Sequence, residues 1–407
     1  MKTAVGVLLL FAAITAHAQN RLSGRVINAI TKAPVPFANV FFANTTIGMS
    51  AREDGSFTLE GFPSGKYDLT VTSIGFRQFQ QPVDFSTPHQ LAVEILMQEN
   101  ILELNEIVVK EDTSQRIFNY RMFKRLFIGE NSYAKKCSIL NPEDIHLYFD
   151  PDLRQLTAHS RKPIEIVNKA LGIKIIYHLN SFQFDYKSEI FMVTGIPQIQ
   201  YLRPKSKSEE RRWINERKDA YYGSLIHFMR MLIKDSLTEA GFAARKIYSI
   251  PNKKRIPQQL IDAGIKKFGS AVNTSGMTTG RNDSLAYFMR MKNEPELTDS
   301  IGREIITGKQ FVRNGTSVEY TGKLQVIFKK EKEEWEYVKS NGRSTRNNQT
   351  SILHFIGKRP LRIYPNGYYE NQTDIFLEGY WSWSEKTSCL LPLDYQPGSD
   401  TTQFIKP

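Results

Sequence analysis

"LSGRVINAITKAPVPFANVFFANTTIGMSAREDGSFTLEGFPSGKYDLTVTSIGF", Leu22 to Phe76, is the stretch on which the reading of the fold turns. From Arg21 onward its apolar residues recur at every second position, the rhythm of strands with one face in a core. Ala38, Val40 and Phe42 share one strand face, and Tyr67, Leu69 and Val71 share another; beyond the quoted stretch Leu91, Val93, Ile95 and Met97 repeat the pattern. Turn chemistry separates the runs. "REDGSF" places Asp54 and Gly55 where a tight hairpin needs residues tolerant of positive φ, and "PSGKY" repeats the device at Ser64 and Gly65. Short strands with such turns over residues 19–98 predict an antiparallel β-sandwich.

The order of Gly24-Arg25-Val26, Pro36 to Val40, Ile47-Gly48, Asp54-Gly55-Ser56-Phe57, Gly65-Lys66-Tyr67 and Ile74-Gly75-Phe76 resembles the carboxypeptidase regulatory-like domain. The resemblance implies a transthyretin-like sandwich, found as an N-terminal extension of exported proteins in Gram-negative bacteria, with an accessory, non-catalytic role. It does not imply a peptidase. A zinc carboxypeptidase needs a His and a Glu three apart plus a second His, leaving one coordination position for water. The seven histidines are followed three positions on by Asn20, Ala92, Phe149, Lys162, Ser181, Arg230 and Gly357, and none of these is Glu. No HExxH motif occurs, so neither a metal nor another cofactor is expected.

Upstream of the sandwich, "AVGVLLLFAAITA" from Ala4 to Ala16 follows Lys2 and leads into Ala18, a secretion signal expected to be cut after residue 18. The run is shorter than the roughly 20 apolar residues of a spanning helix. An exported protein without a transmembrane segment after cleavage is expected, in the periplasm or held at the outer membrane or cell surface by protein contacts. The formal net charge is +12, and residues 19–110 carry seven Lys or Arg against nine Asp or Glu, so the excess lies downstream. A basic region in an envelope suits an envelope protein, an anionic glycan or a lipid surface. Nucleic acid is not expected, because basic and acidic residues are interleaved and neither a helix-turn-helix nor a zinc pattern is present.

"ILELNEIVVKEDTSQR" reads as a last extended segment and a linker over residues 99–116, before a basic α+β region over 117–407. Transporters of the outer membrane that carry the same N-terminal domain continue into a large barrel, for which the fewer than 300 remaining residues are too few. Residues 114–128 read as a helix, residues 144–202 as an antiparallel sheet, and "KLQVIFKK", "SILHFIGK" and "LRIY" as later strands. The part between Pro251 and Thr279 reads as a loop. Cys137 and Cys389 are candidates for one disulfide in an oxidising compartment.

Ser206 to Gly241 predicts a long buried helix or a helix pair, capped at Ser208 and stopped at Gly241. Ile214, Tyr221, Leu225, Phe228 and Leu232 form one apolar stripe, and Tyr222, Ile226, Met229 and Ile233 a second. Arg217, Ser224 and His227 lie on a third stripe, where buried polar groups must find partners. Three readings of these residues stand side by side. Arg217 and His227 pin the helix to a sheet, with Gly223 allowing close approach; or Arg217, Tyr221 and His227 line a pocket for an anionic or sugar group; or His227 acts as base for a Ser224 nucleophile. No "GxSxG" turn accompanies the serine. "RRWINERKDAYYGSLIHFMRML", "KALGIKIIYHLNSF" and "GYWSWSEKTSCLLPLDYQP" resemble exported proteins that join this second module to the same sandwich, which implies an architecture and no particular activity. Within the last of these, Tyr380, Trp381 and Trp383 are expected in the core, with stacking on sugar rings as the alternative.

Overall fold

The computed structural model describes residues 20–100, 115–269, 283–357, 359–370 and 372–398. The leader expected over 1–18 lies outside the described residues, as does most of the linker expected over 99–116.

The N-terminal strands are β1 (Asn20–Asn28), β2 (Asn39–Phe42), β3 (Gly48–Ser50), β4 (Ser56–Phe62), β5 (Gly65–Thr72), β6 (Phe79–Phe85) and β7 (Gln90–Met97). They form two sheets, ordered β4-β1-β7 and β3-β2-β5-β6, packed over a core that includes Leu22, Val26, Phe42, Tyr67, Leu69 and Ile95. The sandwich is as the alternation predicts, with one departure: β1 and β7 run parallel, from Arg21 beside Gln90 to Asn28 beside Met97. The Asp54-Gly55 hairpin is confirmed by a φ of +78° at Gly55. Gly65 is needed for a different reason, since a Cβ there would collide with the side chain of Asn366, far along the chain.

A second sheet follows α1 (Arg116–Phe127). Its strands are β8 (Cys137–Ile139), β9 (Ile145–Asp150), β10 (Gln155–Ser160), β11 (Ile164–Asn168), β12 (Ile173–Asp185) and β13 (Phe191–Tyr201), all antiparallel, with the long β12 paired along its length to β13. Next come α2 (Lys207–Tyr221), α3 (Leu225–Ile233) and α4 (Leu237–Ala240). Of the long helix or helix pair expected here the structure has the pair, broken at Gly223, whose φ is +82°. A side chain at Gly223 would meet Phe328 and Gln349 at 2.7 Å, so the break lets the backbone press against the next sheet. The stripes drawn through residue 223 therefore belong to two helices. The cap of α2 is Ser206 rather than Ser208: its hydroxyl accepts from the Glu209 amide at 3.2 Å.

The remaining elements are β14 (Phe242–Pro251), α5 (Gln258–Gly269), α6 (Asp283–Asn293), β15 (Leu297–Ile301), β16 (Val312–Arg313), β17 (Ser317–Val318), β18 (Gly322–Lys332), α7 (Trp335–Ser340), β19 (Asn348–Phe355), β20 (Leu361–Arg362), β21 (Ile375–Gly379) and α8 (Tyr380–Ser384). The order β15-β14-β18-β19-β21 makes an antiparallel sheet, and β16-β17-β20 a small one beside it. The loop expected between Pro251 and Thr279 holds helix α5, whose Ile261 is fully buried; residues 270–279 lie outside the described residues. The region is α+β as expected, with two cores. Phe123, Phe127, Ile175 and Tyr221 belong to the core under β8–β13, and Phe228, Met229, Phe242 and Phe328 to the core under β14–β21. The α2–α3 pair spans both.

The sandwich is docked on this region through an extensive contact. Strand β2 is buried on both faces: Val40 and Phe42 face the sandwich core, while Phe41 packs with Ala43 and Ile196 and stacks on His178 at 6.0 Å between ring centres. Backbone bonds cross the junction from Asn44 N to Pro197 O at 2.6 Å, from Ile199 N to Thr45 O at 3.1 Å and from Leu393 N to Asn44 O at 2.8 Å. Asn366 donates to Lys66 O at 2.8 Å, Asp394 accepts from the Thr46 amide and hydroxyl, and Lys66 pairs with Glu370.

Candidate functional site

The polar residues around the α2–α3 break are closed in. Ser224 caps α3: its hydroxyl donates to Tyr221 O at 2.7 Å and accepts from the His227 amide at 3.2 Å. That is the geometry of a helix N-cap, with the oxygen already committed to backbone. The His227 ring is not turned to Ser224. Its Nδ1 accepts from the Gly223 amide at 3.2 Å, and Tyr221, Tyr222, Phe242 and Phe328 surround it. Burial, with Lys330 and Arg230 nearby, lowers the His227 pKa to about 4, so the imidazole is neutral at neutral pH.

Arg217 donates from Nη1 to Leu171 O at 2.9 Å and lies over the Tyr201 ring, which fastens α2 to the β11–β12 turn and to β13. Tyr221 packs against Tyr222, His227 and Tyr395. The three residues proposed to line a ligand pocket, Arg217, Tyr221 and His227, lie close together, yet none of them lines either of the two cavities beside the helix break.

Arg230 has a larger structural role than any residue singled out in the sequence. It is 2% exposed, and its guanidinium makes four hydrogen bonds to three carbonyls: Asn366 O at 3.1 and 2.8 Å, Leu393 O at 2.9 Å and Tyr395 O at 2.9 Å. Asn366 and Leu393 are also residues that grip the sandwich. Its sequence signal was a lone cation inside the apolar run "IHFMRMLI".

The larger cavity, about 540 Å³, opens where the sandwich, the first α+β sheet and the α3 end of the second core meet. Asn44 and Asp68 come from the sandwich, Phe127, Tyr177 and Phe191 from the first layer, and Ser224, Tyr369 and Glu385 from the second. A smaller cavity of about 330 Å³ adjoins it, sharing Ser224, Glu385 and Cys389, and carries Asp219, Glu331 and Glu334. Glu385 accepts from the Leu225 amide at 2.9 Å, a free N–H of the first turn of α3. Burial outweighs that bond and raises the Glu385 carboxyl to about 7; burial likewise raises Glu331 to about 7. Beside Glu385 in sequence, Lys386 points to the other wall, with Nζ 3.6 Å from the centre of the Phe191 ring. Burial, then Arg125, lowers the Lys386 pKa to about 7. Sequence reasoning passed over this pair; the signal was two adjacent opposite charges inside the aromatic and apolar "YWSWSEKTSCLL".

Cys137 and Cys389 are free thiols in this structure rather than a disulfide. Cys137 contacts Tyr133 O at 3.5 Å and Cys389 accepts from Asn131 at 3.1 Å. Burial pushes Cys137 up to about 12 and raises Cys389 as well, which keeps both protonated. Tyr380 and Trp381 are buried, and the Trp381 indole donates to Gly223 O at 2.8 Å, so these two aromatics are core residues. Among the described residues no group of three or more His, Cys, Asp or Glu is placed to hold a metal ion.

A two-sheet sandwich of seven short strands with a Gly55 hairpin, docked on a larger α+β body, defines a class of proteins that join a small β-domain to a mixed one. Residues 22–109 match the model of the CarboxypepD_reg-like domain family, so this part of the chain is a carboxypeptidase regulatory-like domain. No curated protein matches the chain. Among solved structures, it is similar to a catechol 1,2-dioxygenase from an Acinetobacter species at 8% identity and a TM-score of 0.18, over 22% of this chain and 55% of that one. The backbone protein of a group B streptococcus pilus is similar at 16% identity and a TM-score of 0.16, over 20% of this chain and 42% of that one. A putative membrane-associated protein of unknown function from Bacteroides fragilis is similar at 9% identity and a TM-score of 0.16, over 88% of this chain and 94% of that one. This chain thus spans about half the length of the first two, and at such scores none of the three carries a functional argument.

Proposed function

We propose that the protein is a non-enzymatic binding or scaffold protein of the bacterial cell envelope, exported by its leader, in which the sandwich and the α+β region together hold one ligand site. The observation that carries this reading is the cavity of about 540 Å³ whose walls come from both parts. Ligand sites favour such junctions, where apolar walls and a few polar groups converge. Ser224 and His227 do not supply a nucleophile and base, because the hydroxyl caps a helix and the imidazole is bound to a backbone amide. The basic charge of +12 favours envelope partners with anionic groups, whether glycan, lipid headgroup or protein.

The test is calorimetry of the mature chain against anionic glycan fragments, anionic vesicles and small amphiphiles, run beside ester and peptide hydrolysis assays. Saturable binding with no turnover is the expected result, and Val193→Trp, which fills the cavity, is expected to abolish binding of a cavity ligand. Turnover lost in Ser224→Ala would overturn the non-enzymatic reading.

A further inference from the structure

Lys386 is the one lysine or arginine among the described residues that line the junction cavity. Its ammonium rests on the face of Phe191, and among the described residues no carboxylate pairs with it. A ring face offsets only part of the cost of taking an ammonium out of water. The two carboxylates of the lining are already engaged elsewhere: Asp68 accepts from the Tyr368 hydroxyl at 3.2 Å and Glu385 from the Leu225 amide at 2.9 Å. Neither forms an ion pair with Lys386. The lining includes the apolar Leu126 and Phe127 of α1 and Phe191 and Val193 of β13, of which Phe191 lies under the Lys386 ammonium.

A cation at one wall, with no carboxylate partner among the described residues and apolar lining beside it, is complementary to a single anionic group on an apolar body. We propose that the cavity binds a monocarboxylate amphiphile, its carboxylate on Lys386 Nζ and its apolar body along Leu126, Phe127, Phe191 and Val193. This rests on the reading of the junction cavity as the ligand site and adds the chemistry of the ligand. The groups that face Lys386 are Arg125 from α1, Phe191 from β13, and Glu385 and Cys389 from its own segment. The first of these adds to the pull on an anion.

Because burial holds the free ammonium at about 7, pairing with a carboxylate raises it, and binding at pH 8 takes up a proton. The experiment is calorimetry of the mature chain with decanoate, 1-decanol and decyltrimethylammonium, three probes of one chain length and different charge. Decanoate is expected to bind at least roughly tenfold more tightly than the other two, and Lys386→Met to lose about that factor for decanoate alone. At pH 8 the wild-type decanoate enthalpy is expected to vary with the ionisation enthalpy of the buffer, and in the variant not to vary. The wild-type half of this readout needs no variant to fold. Equal affinity for decanoate and decanol, preference for the cation, or decanoate binding untouched by Lys386→Met overturns the carboxylate assignment and leaves the cavity as a ligand site. Silence toward all three probes, in a protein that also ignores the glycans and vesicles above, overturns both.

Discussion

Two polar clusters flank the first turn of α3, and they are built on opposite plans. On the inner side, Ser224, His227 and Arg230 are matched by backbone: the hydroxyl to Tyr221 O and an amide, the imidazole to the Gly223 amide, the guanidinium to three carbonyls. On the outer side, Glu385 and Lys386 face a cavity, the first with one amide as partner and the second with a ring face. Matched groups fix a structure; groups left with capacity are where a second molecule can gain something. The contrast predicts that changes at His227 and Arg230, which line neither cavity, alter stability and spare binding.

The largest effect is expected from Arg230→Met. Three buried carbonyls lose their donor and the two loops that hold the sandwich lose their brace, at a cost of about 3 kcal/mol or more. Chemical denaturation read separately from each domain should show both a lower midpoint and a loss of coincidence between the two signals. A single unshifted transition would put Arg230 outside the junction.

Next in size is a pH effect at His227. Its folded pKa of about 4 lies below the unfolded value, so its contribution is full above about pH 6.5 and is lost as pH falls toward 4, on the order of 2 kcal/mol. Glu331 and Glu385 act with the opposite sign, since carboxyls raised to about 7 favour the folded state as pH falls from about 7 toward 4.5. The His227 share is isolated by subtracting the stability curve of His227→Phe, in which only the wild-type minus variant difference should decline with acid. A flat difference would mean that the imidazole reaches solvent.

The smallest effect is Ser224→Ala, about 1 kcal/mol for the lost cap, read as a lower midpoint in chemical denaturation. An unchanged midpoint would mean that the hydroxyl does not cap α3.

The sandwich was legible because its physics is local. Alternation of Tyr67, Leu69 and Val71 needs only a sheet with one buried face, and the Asp54-Gly55 turn needs only its own backbone. Gly65 shows where locality ends: in sequence it reads as a turn residue, while its requirement comes from Asn366, three hundred residues away. The second region was legible in class and blurred in detail for the same reason. The helix pattern from Ser206 to Gly241 is continuous in hydrophobicity, and the break at Gly223 is imposed by the approach of Phe328 on β18. Arg217, Ser224 and His227 stand out in the sequence as polar residues on an otherwise apolar stripe, and their partners Leu171 O, Tyr221 O and the Gly223 amide are contributed by backbone that the pattern does not reveal. Glu385 and Lys386 escaped notice because adjacent charges usually mark surface; only the three-way junction puts these two at a cavity.

Strand β2 has a practical consequence for anyone cutting this protein into pieces. The family match invites a truncation near residue 109, yet Phe41 and Ala43 on the outward face of that strand are covered by Ile196 and His178 from beyond the cut. An excised fragment would carry a bare aromatic stripe on one of its sheets, and self-association in the tube would then report the scalpel rather than the biology.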